Sequence, residues 1–352
     1  MSNVRISTAI MTHPSRLKEA IHLQDAHPEL DARIVLDPEP DAAPSTMRTA
    51  LPSWAAVAPD ATHHLVLQDD VTLCRDFPAR LTAAVSAVPD RPLGLFTDSG
   101  TRTAHGLRIA AARGVSWAEC TDHFVPAQAI VLHAAMARGF VASVAPDEDD
   151  DAVGLRSYLA GAGAALLVCV PNLVDHDAVP SLLGHDVLMG PRRSVLFIDN
   201  LPDGSEPTAE VLDDETLRPH LSTLDGVARC QIRQDGGWHA VEALDWLVLR
   251  GHSRARLGAW FNTDLAGAAM TGPAAGLGGP LLFQVWLTGI IYGWCLPPRP
   301  TPSVTWPVAM RTLTIGALRR FVAEALAAEV SLALQPLIDA GIARGRAEST
   351  AS

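Results

Sequence analysis

The sequence predicts an α/β protein. A mostly parallel sheet flanked by helices is expected over residues 1–200, and a mainly helical region over residues 208–346. Three observations carry this. Short apolar runs ending at polar turns alternate with segments of helical spacing in the first part of the chain. The turn-rich stretch Asn200-Leu201-Pro202-Asp203-Gly204-Ser205-Glu206-Pro207 then breaks the pattern. Beyond it the apolar periodicity turns helical. Strands that alternate with helices pair in parallel, because each crossover carries a helix back across the sheet, and both faces are then covered.

The elements follow in order. Arg5 to Met11 reads as a strand, Thr12 to Ser15 as a turn, and Pro14 to Leu23 has helical spacing through Leu17, Ala20 and Ile21. Ala32 to Leu36 is a second strand ending at Asp37, and Pro38 to Pro44 a loop. Thr46 to Ala58 reads as a helix that Pro52 limits or kinks, since proline removes a helical donor. Leu65-Val66-Leu67 is a buried strand. Phe77 to Val88 is helical, Leu93 to Thr97 a strand, Ala127 to Leu132 strand-like and Ala134 to Val144 helical. An acidic run, Asp147 to Asp151, precedes a helix over Ala152 to Gly161, and Ala164 to Val170 is a last strand. In the final third, Ala240 to Arg250 and Val308 to Arg344 have helical periodicity around a Gly/Pro-rich loop, Thr271 to Pro280.

Composition narrows the function. A net charge of −12 argues against a protein that coats nucleic acid or anionic membrane, because both demand basic surface. The five cysteines are far apart and form no Cys-x-x-Cys pair, which fits reduced thiols in a cytoplasmic protein. Met1 to Arg5 lacks the form of a signal peptide. The longest apolar run, Leu281 to Leu296, is shorter than the roughly 20 residues of a membrane span. It suits a buried core helix or strand pair, and it is also a candidate homodimer interface.

The chemistry concentrates where the third strand ends. His63-His64-Leu65-Val66-Leu67-Gln68-Asp69-Asp70 runs from apolar residues into two adjacent carboxylates. In open α/β sheets, ligands bind outside the C-terminal ends of the strands. A carboxylate pair there suits a hard cation, Mn²⁺ or Mg²⁺. A solvated turn explains the same residues.

The ordered set of these segments resembles the nucleotide-binding half of a GT-A-fold glycosyltransferase of the bacterial family 2 or family 25 type. The segments are Thr12-His13-Pro14 after the first strand, Asp37 after the second, Arg48 on the next helix, Gln68-Asp69-Asp70, the acidic run before a helix, and Pro171 to His176 leading to Ser181 to His185. The likeness spans about residues 4–200, and Gln68 departs from the usual Asp-x-Asp spacing. The resemblance implies a GT-A fold with nucleotide-sugar chemistry. Asp70 would be a metal ligand, with His176 and then His185 as further candidates. Asp69 would contact ribose or metal. Thr12, His13, Asp37 and Arg48 would bind the nucleotide. Asp150 and Asp151 are candidates for the base that takes the acceptor's proton, giving single displacement with inversion.

Each residue also has a plainer use. Thr12 suits a helix cap, Asp37 a turn, Arg48 a surface charge, and the acidic run a helix N-terminus favoured by the dipole. Asp98-Ser99-Gly100 suits either a sugar contact or a simple turn. Arg250 to Arg256 reads as a helix-end cluster or an anion site, and the tryptophans of the last third as core or as sugar-stacking surface. The expected activity is sugar transfer from a UDP-, GDP- or dTDP-linked donor to an acceptor hydroxyl on a glycan, natural product or peptide. A nucleotidyltransferase and a non-catalytic binding or scaffold protein of the same fold are the alternatives.

Overall fold

The computed structural model describes residues 4–145, 148–177, 179, 181–182, 184, 189–202, 204–298, 301 and 304–350. The chain forms two compact units, each built from separate stretches. The first takes residues 1–97, 116–183 and 197–211, and the second takes 98–115, 184–196 and 212–352. Residues 98–115 and 184–196 thus belong with the second unit, although they precede the turn-rich stretch at 200–207.

The first unit is α/β, with a mixed, mostly parallel sheet. Its strands are β1 (Ile6–Thr12), β2 (Arg33–Leu36), β3 (His63–Gln68), β4 (Val71–Leu73), β5 (Leu93–Gly94), β6 (Trp117–Glu119), β7 (Ala129–His133), β8 (Leu167–Cys169), β9 (Val174–His176) and β10 (Val211–Leu212). Its helices are α1 (Leu17–Ala26), α2 (Met47–Ala55), α3 (Phe77–Ala87), α5 (Ala134–Ser143) and α6 (Asp151–Gly161). The eight-stranded sheet runs β10-β6-β8-β5-β7-β3-β1-β2. β1 pairs in parallel with β2 and β3, and β5 with β8. β7 runs antiparallel to β3 and β5, and β6 antiparallel to β8.

Leu65 and Leu67 on β3, Ile10 on β1 and Val131 on β7 are fully buried, with Phe77, Leu81 and Val85 of α3 in the same core. A central strand covered on both faces reads as a continuous apolar run, which is what Leu65-Val66-Leu67 shows. Pro52 lies inside α2, which ends soon after it at Ala55.

The second unit opens with α4 (Arg102–Arg113), which the sequence reading passed over. Its signals are nonetheless plain. The Thr101 hydroxyl caps the N-terminus by accepting from the Ala104 N–H, and Gly114 ends the helix with φ 74°. The later part is a correction to the expected helical region. A three-stranded antiparallel sheet, β11 (Leu217–Leu221), β12 (Ala228–Gln234) and β13 (Gly237–Glu242), comes before the helices, and β13 takes the start of the stretch read as helix from Ala240. The turn between β12 and β13 is Asp235-Gly236, with φ of 50° and 78°, a hairpin turn that glycine permits at no steric cost.

α7 (Ala243–Leu249), α8 (Arg254–Ala268), α9 (Gly279–Cys295), α10 (Thr305–Leu318) and α11 (Glu324–Ser349) follow. The Leu281 to Leu296 run is therefore the buried helix α9, with Trp286, Ile291 and Tyr292 inaccessible. α9 packs on α11 through paired small residues. A Cβ on Gly341 would lie 2.6 Å from the Trp286 carbonyl oxygen and 3.2 Å from the Gly289 Cα. By length and composition α11 is apolar enough to cross a membrane.

The Arg250 to Arg256 stretch is a helix-end cluster. Arg250 stacks 4.2 Å over Trp246, Arg256 4.3 Å over Trp260, and Arg254 bonds Asp245 at 2.8 Å. Asp98-Ser99-Gly100 forms a turn in this unit, in which the Asp98 Oδ1 accepts from the Gly100 N–H at 2.9 Å and from Arg319 Nη1 at 2.5 Å.

Candidate functional site

The first unit gathers its chemistry at the C-terminal ends of β1, β2 and β3. Their parallel pairing puts Thr12, Asp37 and Gln68-Asp69-Asp70 on one edge of the sheet, since Met11 lies opposite both Val35 and Gln68. The Asp37 N–H donates to the Thr12 carbonyl at 3.0 Å, which extends the β1–β2 ladder to this edge.

Thr12 is not a helix cap. Its hydroxyl donates to Asp69 Oδ2. The cap is His13, whose Nδ1 accepts from the Ser15 N–H at 3.2 Å and whose Nε2 meets the Pro40 carbonyl at 3.2 Å. Asp37 and Arg48 meet directly. Arg48 Nε and Nη2 donate to the two Asp37 oxygens at 2.6 and 2.7 Å, while Nη1 donates to the Ala43 carbonyl at 2.8 Å. The Arg48 bond holds the Asp37 carboxyl below the usual carboxylate range.

The acid pair is buried, and Arg16 joins it. Arg16 ends the turn Pro14–Arg16 that leaves β1. Its Nη1 donates to Asp69 Oδ1 at 3.2 Å and to Asp70 Oδ2 at 2.8 Å. Burial pushes the Asp69 carboxyl up, against the opposing pull of the Thr12 hydroxyl and Arg16. Burial pulls the Arg16 guanidinium down, and the two carboxylates outweigh it and raise it. The sequence reading missed Arg16. An arginine on the turn after the first strand was the one signal available.

His176 comes to the same place from a distant part of the chain. The β4–β9 pairing sets Val71 opposite His176, and the Asp177 N–H donates to the Asp70 carbonyl at 2.9 Å. His176 Nε2 lies 3.5 Å from Asp70 Oδ2. Asp70 Oδ1 is buried without a hydrogen-bond partner. This partnerless oxygen is buried, and the carboxylate's other oxygen, beside the imidazole, is taken by Arg16, so a divalent cation would have to bind at Oδ1 and bring most of its oxygen ligands itself. These groups do not make a complete cage: among the described residues no group of three or more His, Cys, Asp or Glu side chains is arranged to hold an ion. His185 lies outside the described residues, as does Asp147.

The acidic run meets the start of α2. The Met47 N–H donates to the Asp149 carbonyl at 3.1 Å, and the Asp151 N–H to the Thr46 hydroxyl at 3.0 Å. Asp150 is the cap of α6, its Oδ1 accepting from the Ala152 and Val153 N–H groups at 2.9 and 3.1 Å. Asp151 is buried, and burial pushes its carboxyl up to about 6. The two base candidates therefore differ: one is a solvated cap, the other a desolvated acid behind Thr46, two residues from Arg48.

No protein-family model matches the chain, and no curated protein matches it.

Proposed function

We propose that the first unit binds a nucleotide sugar and transfers the sugar to an acceptor hydroxyl. One observation carries this reading: Thr12, Asp37, Arg48, Asp69, Asp70 and His176, drawn from separate parts of the chain, lie along the ligand-binding edge of a mostly parallel sheet and at the β4–β9 pairing beside it. That is the order in which the sequence resembles GT-A-fold glycosyltransferases.

In this reading the nucleoside lies along Thr12, His13, Asp37 and Arg48. The diphosphate lies toward Asp70. Asp70 and His176 would hold a Mn²⁺ or Mg²⁺ cation, which when bound would supply charge stabilisation to the leaving diphosphate. The bond from the sugar's anomeric carbon to the diphosphate oxygen breaks, and its electron pair leaves on the diphosphate. The acceptor oxygen forms the new bond from the opposite face, with inversion, and its proton passes to a carboxylate. Asp151 is the better candidate for that role, because burial raises its carboxyl to about 6, near the working pH of a general base, while the Asp150 carboxylate is already engaged as the cap of α6.

A second reading has its own support. Arg48 on Asp37 and Arg16 on the acid pair are stable ion pairs that need no substrate, as a binding protein without catalysis would have.

Melting temperature against UDP, GDP and dTDP, each with and without Mn²⁺, tests the donor site, because a ligand of the folded state must raise it. A metal-dependent shift with one nucleotide supports the reading and names the donor class. No shift at millimolar ligand overturns it. Release of pyrophosphate instead of a nucleoside diphosphate would point to nucleotidyl transfer.

A further inference from the structure

We infer that the acceptor carries its hydroxyl on an apolar body without negative charge, and that Phe124 and Val153 receive that body beside Asp151. The inference rests on the sugar-transfer reading above and deepens it. Among the described residues of the first unit, the exposed large apolar side chains are Ile21, Leu36, Phe124, Val153 and Leu182. Phe124 is the aromatic one, 41% exposed, and Val153 is 40% exposed. Scattered apolar residues on a surface are ordinary, whereas a pair grouped at a reactive group carries information.

The backbone groups these two. The Val125 N–H donates to the Ala152 carbonyl at 3.1 Å, so Phe124 and Val153 are each the residue next to one end of this bond. Asp151 precedes Ala152, and all three residues from Asp151 to Val153 lie in the first turn of α6. The segment that carries Phe124 also reaches the acid pair: the Gln68 N–H donates to the Gln128 carbonyl at 2.9 Å, one residue before Asp69. One short stretch, Cys120 to Gln128, therefore runs from the donor edge to the base candidate, with its exposed ring at the base end.

An acceptor whose hydroxyl gives its proton to Asp151 must rest its remaining surface on what surrounds that residue. Phe124 and Val153 offer a phenyl ring and branched methyls, which gain by leaving water and form no hydrogen bonds. A hydroxyl-rich body would leave polar groups unpaired against them. Charge selects further. Glu148, Asp149 and Asp150 stand ahead of α6, and the helix itself carries one cation, Arg156. Arg48, on the neighbouring α2, is engaged by Asp37 and the Ala43 carbonyl. This acidic front repels an anionic acceptor and admits a neutral or cationic one.

The test is saturation-transfer difference NMR on the whole chain with four probes at millimolar concentration: tyramine, 4-hydroxybenzamide, methyl β-glucoside and glucose 6-phosphate. The melting shift with UDP, GDP and dTDP plus Mn²⁺ is recorded on the same protein. The two phenols should take up saturation on their ring protons, and glucose 6-phosphate should not. Phe124→Ser and Val153→Asp should each weaken the phenols by about tenfold, and Phe124→Trp should keep them. Preferred binding of either sugar overturns the inference, as does the absence of phenol binding or phenol binding that neither Phe124→Ser nor Val153→Asp changes. In each of those cases a nucleotide-induced melting shift leaves the functional reading standing. Absence of that shift overturns the functional reading itself, and the acceptor role of Phe124 with it.

Discussion

Arg48 clasps Asp37 with two hydrogen bonds of 2.6 and 2.7 Å, so the end of β2 is tied to the first turn of α2 by a forked ion pair. The loop from Pro38 to Pro44 between them is tied down further by Arg48 Nη1 on the Ala43 carbonyl and by His13 Nε2 on the Pro40 carbonyl. The clasp also sets the acidity of the edge, because the Arg48 bond lowers the Asp37 carboxyl in the folded chain.

Arg48→Ala should therefore weaken the fold in a pH-dependent way. A carboxyl held below its unfolded value, about 4, stabilises the native state above that pH, and the contribution is lost as pH falls through the folded value. Urea unfolding should show the variant less stable than the wild type at pH 7, with the gap closing as the pH drops below about 4. A gap that stays constant with pH would refute the assignment.

Asp151 should behave in the opposite sense. Its carboxyl is raised to about 6 by burial, so between about pH 4 and pH 6 the folded chain binds the proton more firmly than the unfolded chain. Stability from this group falls as pH rises through that window. Asp151→Asn removes the cost and should stabilise the protein above pH 6 by up to about 3 kcal/mol, with little effect at pH 4. The same variant tests catalysis: with Asp151 as the base, kcat/KM rises with pH through about 6 in the wild type, and that rise should vanish.

Asp70→Asn should abolish transfer, by about a hundredfold or more, while far-ultraviolet circular dichroism stays unchanged. The metal-dependent part of the nucleotide-induced melting shift should go with it. Full activity in this variant would remove the acid pair from the proposed chemistry.

Gly341→Ala tests the packing of the second unit. A methyl group there would press on the Trp286 carbonyl at 2.6 Å and the Gly289 Cα at 3.2 Å, both backbone atoms of the facing helix. Overpacking of this kind costs about 1–3 kcal/mol, and the helical preference of alanine returns up to about 1. The expected net loss of about 1–2 kcal/mol should appear as a melting point a few degrees lower.

Buried thiols should resist modification. Burial raises Cys74 to about 11 and Cys169 to about 12, which leaves almost no thiolate at neutral pH. An aromatic disulfide reagent should reach these two only after denaturation.

Much of the first unit was legible in the sequence. β3 stood out because a strand covered on both faces must be apolar along its length, and its acidic end marked the ligand edge. α1, α2, α3, α5 and α6 followed from the helical spacing of apolar residues. The second unit was harder to read. β12 alternates Ala228, Cys230 and Ile232 with Arg229, Gln231 and Arg233, a period of two that was passed over together with the Asp235-Gly236 turn signal. α4 was missed for want of weight on Thr101 and Gly114, its two caps.

By itself the sequence determined where strands end in polar residues, and so which side chains stand at the sheet's edge, because apolar periodicity and turn chemistry are local properties of the chain. Only the tertiary structure decided the antiparallel direction of β6 and β7, the arrival of His176 beside Asp70, the placing of Asp151 behind Thr46, and the seat of Arg16 between two carboxylates. Those outcomes join residues about fifty to more than a hundred positions apart. Strand direction and ion pairing depend on which distant backbone and charge a residue meets, and no local pattern carries that information.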